Sequence, residues 1–111
     1  MKKFTPGPWK ILPEEADKDY IRIRGTALGR RYKVANVLTP IYEGAHTREA
    51  EETRANANLM AAAPAMYEAL SEMVAMFIDT KRYPDPETVT TGLRILLPKM
   101  QAALRAADGG E

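Results

Sequence analysis

Two stretches of this chain repeat one spacing of apolar residues, and that repeat limits the fold more than any other feature. Leu59, Ala63, Met66, Leu70, Met73 and Phe77 recur at intervals of 4, 3, 4, 3 and 4. Val89, Leu93, Leu96, Met100, Ala103 and Ala107 recur at the same intervals. Residues so spaced share one face of an α-helix, with a seam close to the heptad of paired helices. The spacing predicts a helix over 46–80 and another over 85–107, packed antiparallel as a hairpin. A second line on the first helix, Ala55, Ala62, Ala65 and Ala69, is small enough for close approach to a sheet or helix. Each segment carries an interior proline. Pro98 is expected to bend its helix, because proline removes one backbone hydrogen bond at a cost of about 3 kcal/mol. Pro64 either does the same or opens a new helix at its first position, so a kink or break is expected at 61–64. Thr47 reads as an N-cap, and Asp85-Pro86-Glu87 reads as cap, first helical position and dipole partner. Asp108-Gly109-Gly110-Glu111 reads as a frayed end.

The first 42 residues follow a different period. Thr5-Pro6-Gly7-Pro8 is a turn-forming entry. Trp9 to Leu12 is a short strand stopped by Pro13, and a polar loop follows. Tyr20-Ile21-Arg22-Ile23-Arg24 alternates, with Ile21 and Ile23 on one face and Tyr20, Arg22 and Arg24 on the other. Gly25 to Gly29 turns the chain. Arg30 to Leu38 is a third strand, which Ile41-Tyr42 could extend. Short links between three strands predict an antiparallel meander. With 111 residues the chain is expected to be one α+β domain, a meander over 1–42 followed by the kinked helical hairpin. Trp9 is expected to anchor the core where meander meets helix.

Charge is divided between these parts. Residues 1–42 hold nine Lys/Arg against four Asp/Glu, and residues 43–111 hold seven against eleven. The sheet is therefore basic and the helices acidic, although the net charge is only +1. A basic face favours anionic partners. Cysteine is absent, which excludes disulfides and thiolate chemistry and fits a reducing compartment. Met1 to Pro8 has no apolar run after its lysines and is not read as a signal peptide. No stretch reaches the roughly 18–20 apolar residues of a membrane span, so a cytoplasmic protein without membrane partners is expected.

Two segments together carry a family likeness. Thr5-Pro6-Gly7-Pro8-Trp9, followed by the run from Ala55-Asn56-Ala57-Asn58-Leu59-Met60 through Ala61-Ala62-Ala63-Pro64 to Ala65-Met66-Tyr67-Glu68-Ala69-Leu70, resembles a group of small phage and prophage proteins. Those open with T-x-G-P-W and carry an A-N-A-x-L-I-A-A-A-P-x-L-L-x-A-L helix. The two segments cover about a fifth of the chain. Met60, Met66 and Tyr67 stand where the group usually has larger aliphatics, a mild packing change. The resemblance implies phage origin and an accessory role in a bacterial host. It transfers no catalytic residue.

Candidate chemistry is sparse. His46 is the single histidine, too little for a metal site or a triad. Glu49, Glu51 and Glu52 open a helix whose positive end they complement. Gly25 to Arg31 could cradle a phosphate, although it lacks the ending of a P-loop, and an ordinary hairpin turn is the simpler reading. Arg22, Arg24, Arg30, Arg31 and Lys33 cluster on two adjacent strands with Tyr20 and Tyr32. Guanidinium groups beside aromatic rings suit a phosphate-bearing, base-containing ligand. Asn56, on the helical stripe, reads as an amide needing buried partners, with Arg54 on the same turn.

No catalytic residues, metal or cofactor are therefore expected. The leading expectation is a non-enzymatic counter-defence protein that sequesters a host-made anionic nucleotide, using Arg22, Arg24, Arg30, Arg31, Tyr20, Tyr32, Arg54 and Asn56. The alternatives are an inhibitor of a host defence protein acting through its acidic helices, and a weak nucleic-acid binder. A homo-oligomer is expected from the alanine-rich face and from Met60, Met66, Met73, Met76 and Met100, which exceed what three short strands can cover.

Overall fold

The computed structural model describes residues 3–15, 18–29, 32–38 and 47–110. The chain is α+β: a three-stranded antiparallel sheet, then helices. Strand β1 is Trp9–Ile11, β2 is Tyr20–Gly25 and β3 is Tyr32–Leu38, in spatial order β1-β2-β3. Helices follow at Thr47–Ala61 (α1), Ala63–Ile78 (α2) and Pro86–Ala107 (α3). Ile41, Tyr42, His46 and the Arg30-Arg31 pair lie outside the described residues.

The alternation of β2 sets the inner face. Ile21 and Ile23 are fully buried beneath α1, which packs across the strands. The α1 face that meets them is built from Ala50 and Ala57, both buried. Of the small line expected to do this, Ala62 is buried, while Ala55 and Ala65 are exposed. Leu59, the first member of the long stripe, is also exposed. The stripe is interrupted by a break at Ala62. The helical run stops there, and α2 begins with Pro64 in its first turn. The stripe therefore starts afresh in α2 rather than running on from α1.

Pro64 is buried, and what covers it is the N-terminal turn. A Cβ placed on Gly7 would lie 2.8 Å from Cβ of Pro64. Phe4 meets Tyr67 edge to face, with centroids 5.0 Å apart. Behind this contact the turn is tied to the sheet. The Trp9 indole Nε1 donates to the Thr5 carbonyl at 2.9 Å, and Thr26 N donates to the Pro8 carbonyl at 3.2 Å. The Gly7-Pro8 peptide is cis. Trp9 is half-buried at the join between sheet and helices. The two segments that carry the family likeness are thus one packed unit.

The hairpin α2–α3 closes around the 79–85 turn. Asp85 caps α3, accepting from Thr88 N at 2.7 Å, and Pro86 occupies the first turn. That bond holds the Asp85 carboxyl below its usual range. Tyr83 donates to Glu72 at 2.8 Å and lies against Gly92, where a Cβ would come within 2.8 Å of its ring. α3 continues through Pro98. Asp108, Gly109 and Gly110 close the helix rather than leaving it open. Gly109 takes φ 78°, and the Gly109 and Gly110 amides donate to Ala106 O and Arg105 O, a Schellman closure packed on Asn58 of α1.

One ion pair joins the β1–β2 connection to α1. Arg54 clamps Glu14 with two bonds of 2.8 and 3.0 Å, and this guanidinium holds the Glu14 carboxyl below the ordinary range. Both side chains are about two-fifths exposed, so solvent screens most of the attraction and only a small coupling is expected. A lowered folded-state value stabilises at pH above the unfolded value. In a double-mutant cycle of Glu14→Gln and Arg54→Met, the coupling is therefore present at neutral pH and disappears as pH falls through the carboxylate range. A second test addresses the turn. Gly7→Ala forces a methyl into the Pro64 ring, costing about 1–3 kcal/mol, and thermal unfolding should show the loss as a lowered Tm.

Candidate anion-binding surface

Strand pairing decides which charged residues meet. Opposite partners in an antiparallel ladder share one face of the sheet. The register sets Lys10 opposite Arg24, and Arg24 opposite Lys33. These three cations form one row across all three strands, on the face turned away from Ile21 and Ile23. Strand spacing of about 4.8 Å puts their backbones within roughly 10 Å of each other. The register shift between Ile23 and Arg24 brings Lys33 into this row.

Arg24 is held in place without being neutralised. Its guanidinium donates to the carbonyls of Ile23 and Ala35 at 2.9 and 3.0 Å and to Asn36 Oδ1 at 3.0 Å. All three acceptors are uncharged. Lys10 and Lys33 are exposed. None of the three makes a salt bridge to another described residue.

The other expected members are disposed differently. Arg22 shares the outer face, but its guanidinium is 2.7 Å from Glu15 and donates to the Pro13 carbonyl at 3.2 Å. Glu15 also binds Lys18, and that hydrogen bond, with Arg22 beside it, holds the carboxyl below its ordinary range. Arg54 is clamped to Glu14 on the opposite side of the sheet, by α1. Tyr32 pairs with Gly25 and so belongs to the inner face with Ile21 and Ile23. Tyr20 is on the outer face at the far end of β2, opposite Leu38. Asn56 is exposed on α1 and not buried, because Ala57 takes the inward position. Gly25 is a buried strand residue whose missing side chain admits Thr5, 2.7 Å from where its Cβ would be. It is not part of a phosphate cradle. Arg30 and Arg31 are outside the described residues.

Lys10 is the member that sequence reading missed. It sits on a short strand remote in sequence from Arg24, and only the register brings them together. The signal was the alternation Trp9-Lys10-Ile11, which turns Lys10 outward.

A small cleft of about 190 Å³ lies between sheet and α1, lined by Ile11, Glu14, Ile21, Arg54, Ala57 and Asn58. The Glu14–Arg54 clamp stands in its wall, so its charges already satisfy each other. Among the described residues, no three His, Cys, Asp or Glu side chains converge in a group that could hold a metal ion. No helix among the described residues is long and apolar enough to cross a membrane.

No curated protein and no solved structure matches the chain. A family model does, over residues 1–111, and its description is a protein of Salmonella phage P22, Y8K6. The match runs through both segments that the fold joins at Gly7 and Pro64. The chain belongs to this family of small phage proteins, the Salmonella phage P22 protein Y8K6 family.

Proposed function

We propose that this phage accessory protein acts in the infected host as a stoichiometric binder, sequestering a phosphate-bearing nucleotide signal on the cationic row and so serving counter-defence. The observation that carries this reading is the row itself. Three like charges placed opposite one another across a sheet repel, and here no carboxylate among the described residues relieves them. An anion would. Arg24, oriented by three neutral acceptors, offers a fixed cation, and Lys10 and Lys33 offer mobile ones that can follow a phosphate group. Arg22 and Arg54 belong to the scaffold in this reading, since their charges are met by Glu15 and Glu14.

Calorimetry on the full chain tests it. The panel is a set of cyclic nucleotides and ADP-ribose-type nucleotides, with inorganic phosphate and a single-stranded oligonucleotide as separate arms. Saturable binding of at least one nucleotide is expected. Lys10→Glu and Lys33→Glu should each weaken it at least about tenfold, the loss of one charge-assisted contact. Arg22→Gln should change it little. No heat from any nucleotide would overturn the proposal. So would tighter binding of the oligonucleotide with a steep salt dependence, which marks a nucleic-acid binder. Capture of a single host protein in stoichiometric amount, with no nucleotide bound, would transfer the function to protein inhibition.

A further inference from the structure

The hairpin is a single layer of two helices, and single layers do not bury their apolar faces. α2 turns Met66, Leu70, Met73 and Phe77 to one side. α3 turns Leu97, Met100 and Leu104 to the same side. Between them runs a groove of about 240 Å³ lined by Met66, Ala69, Leu70, Met73, Met100, Ala103 and Leu104. Every one of these residues is apolar. Leu70 is 58% exposed, Phe77 70% and Leu104 61%. Among the described residues, the lining of this groove comes from α2 and α3.

The molecule as a whole carries too much surface for its mass. It measures 59 × 29 × 19 Å, with a radius of gyration of 17.5 Å where a compact domain of this length has about 13 Å. Its accessible surface is 8273 Å², against about 6,100 Å² expected of a 12.4 kDa globular monomer. The excess, roughly 2,100 Å², is of the size each subunit hides in an obligate dimer interface.

We propose that a second copy of this chain covers the Met66–Phe77 and Leu97–Leu104 face, forming a four-helix layer pair across a two-fold axis. An isologous contact sets a surface against itself, so a charged face would meet its own sign. This face carries no charge at its centre, and self-contact costs no repulsion. The charged residues of the hairpin stand elsewhere. Glu68, Glu72 and Lys99 line the opposite groove, with Ala65, Ala69 and Ala102. Met76, buried at the α2–α3 contact, holds the hairpin together rather than the dimer, whereas Met66, Met73 and Met100 supply adaptable contact across the axis. The anion row is on the sheet, at a distance from this face, so the two proposals stand or fall separately.

Sedimentation velocity and light scattering on the full chain test the pairing. A mass of two chains, or an even multiple of that, is expected at micromolar concentration. Leu70→Glu and, separately, Leu104→Glu should reduce it to one chain with helical circular dichroism retained. Ile95→Glu alters an exposed α3 residue on the side away from the groove, and should leave the assembly intact. A wild-type mass of one chain at about 100 µM would overturn the proposal. An assembly that Ile95→Glu dissolves and both leucine variants preserve would overturn it equally. Should either leucine variant lose its helices, the other decides, and Leu97→Gln serves as a milder third.

Discussion

The contact between Gly7 and Pro64 organises this molecule. Pro64 stands at the break between α1 and α2, where the helical run stops and a new one starts. A helix break exposes a proline ring and the chain around it. Gly7 has no side chain and can lie flat against that ring, where an added Cβ would come within 2.8 Å of Pro64 Cβ. Phe4 against Tyr67 extends the same contact along α2. The turn that carries Gly7 is itself bound to the sheet through Trp9 and Thr26. The break in the helices is therefore fixed to the sheet. α1 is left to cover Ile21 and Ile23, and the α2–α3 hairpin is directed past the sheet into solvent.

Each surface proposed for function follows from that arrangement. Because α1 lies on the inner face of the sheet, it leaves the outer face uncovered, and the register gathers Lys10, Arg24 and Lys33 there. Because α2 leaves the sheet behind, its apolar stripe borders a groove lined, among the described residues, by α2 and α3. One side of the two-helix layer then stays uncovered over Leu70, Phe77 and Leu104. The exposed cationic row and the uncovered apolar face of the hairpin are two consequences of one break between helices.

Much of the architecture was legible in the sequence, and the parts that were not share a cause. Period-2 alternation around Ile21 and Ile23 identified β2 and its buried face. Asp85-Pro86 identified the start of α3, because cap and first-turn proline are local chemistry. The equal stripes identified the hairpin. Ala57 was hidden because the register of α1 depends on where the helix breaks, and periodicity carried Leu59 across that break into a stripe it does not join. Gly109 and Gly110 looked like a loose end because Asn58 of α1, against which Gly109 packs, is remote in sequence. The basic cluster was legible as composition but not as a site. Glu14 and Glu15, read as loop residues, reach Arg54 and Arg22 across distances that no local pattern encodes. Lys10 joins Arg24 by strand pairing alone.

The whole arrangement depends on the N-terminal turn being seated on the helix break, and proton NMR on the intact chain observes that directly. Cross-relaxation should be found between the Gly7 α-protons and the Pro64 ring protons, together with contacts between the Phe4 and Tyr67 rings. Their absence in a sample whose Ile23–Ala35 strand contacts are present would contradict it, since the sheet would then be folded with the turn detached from the helices.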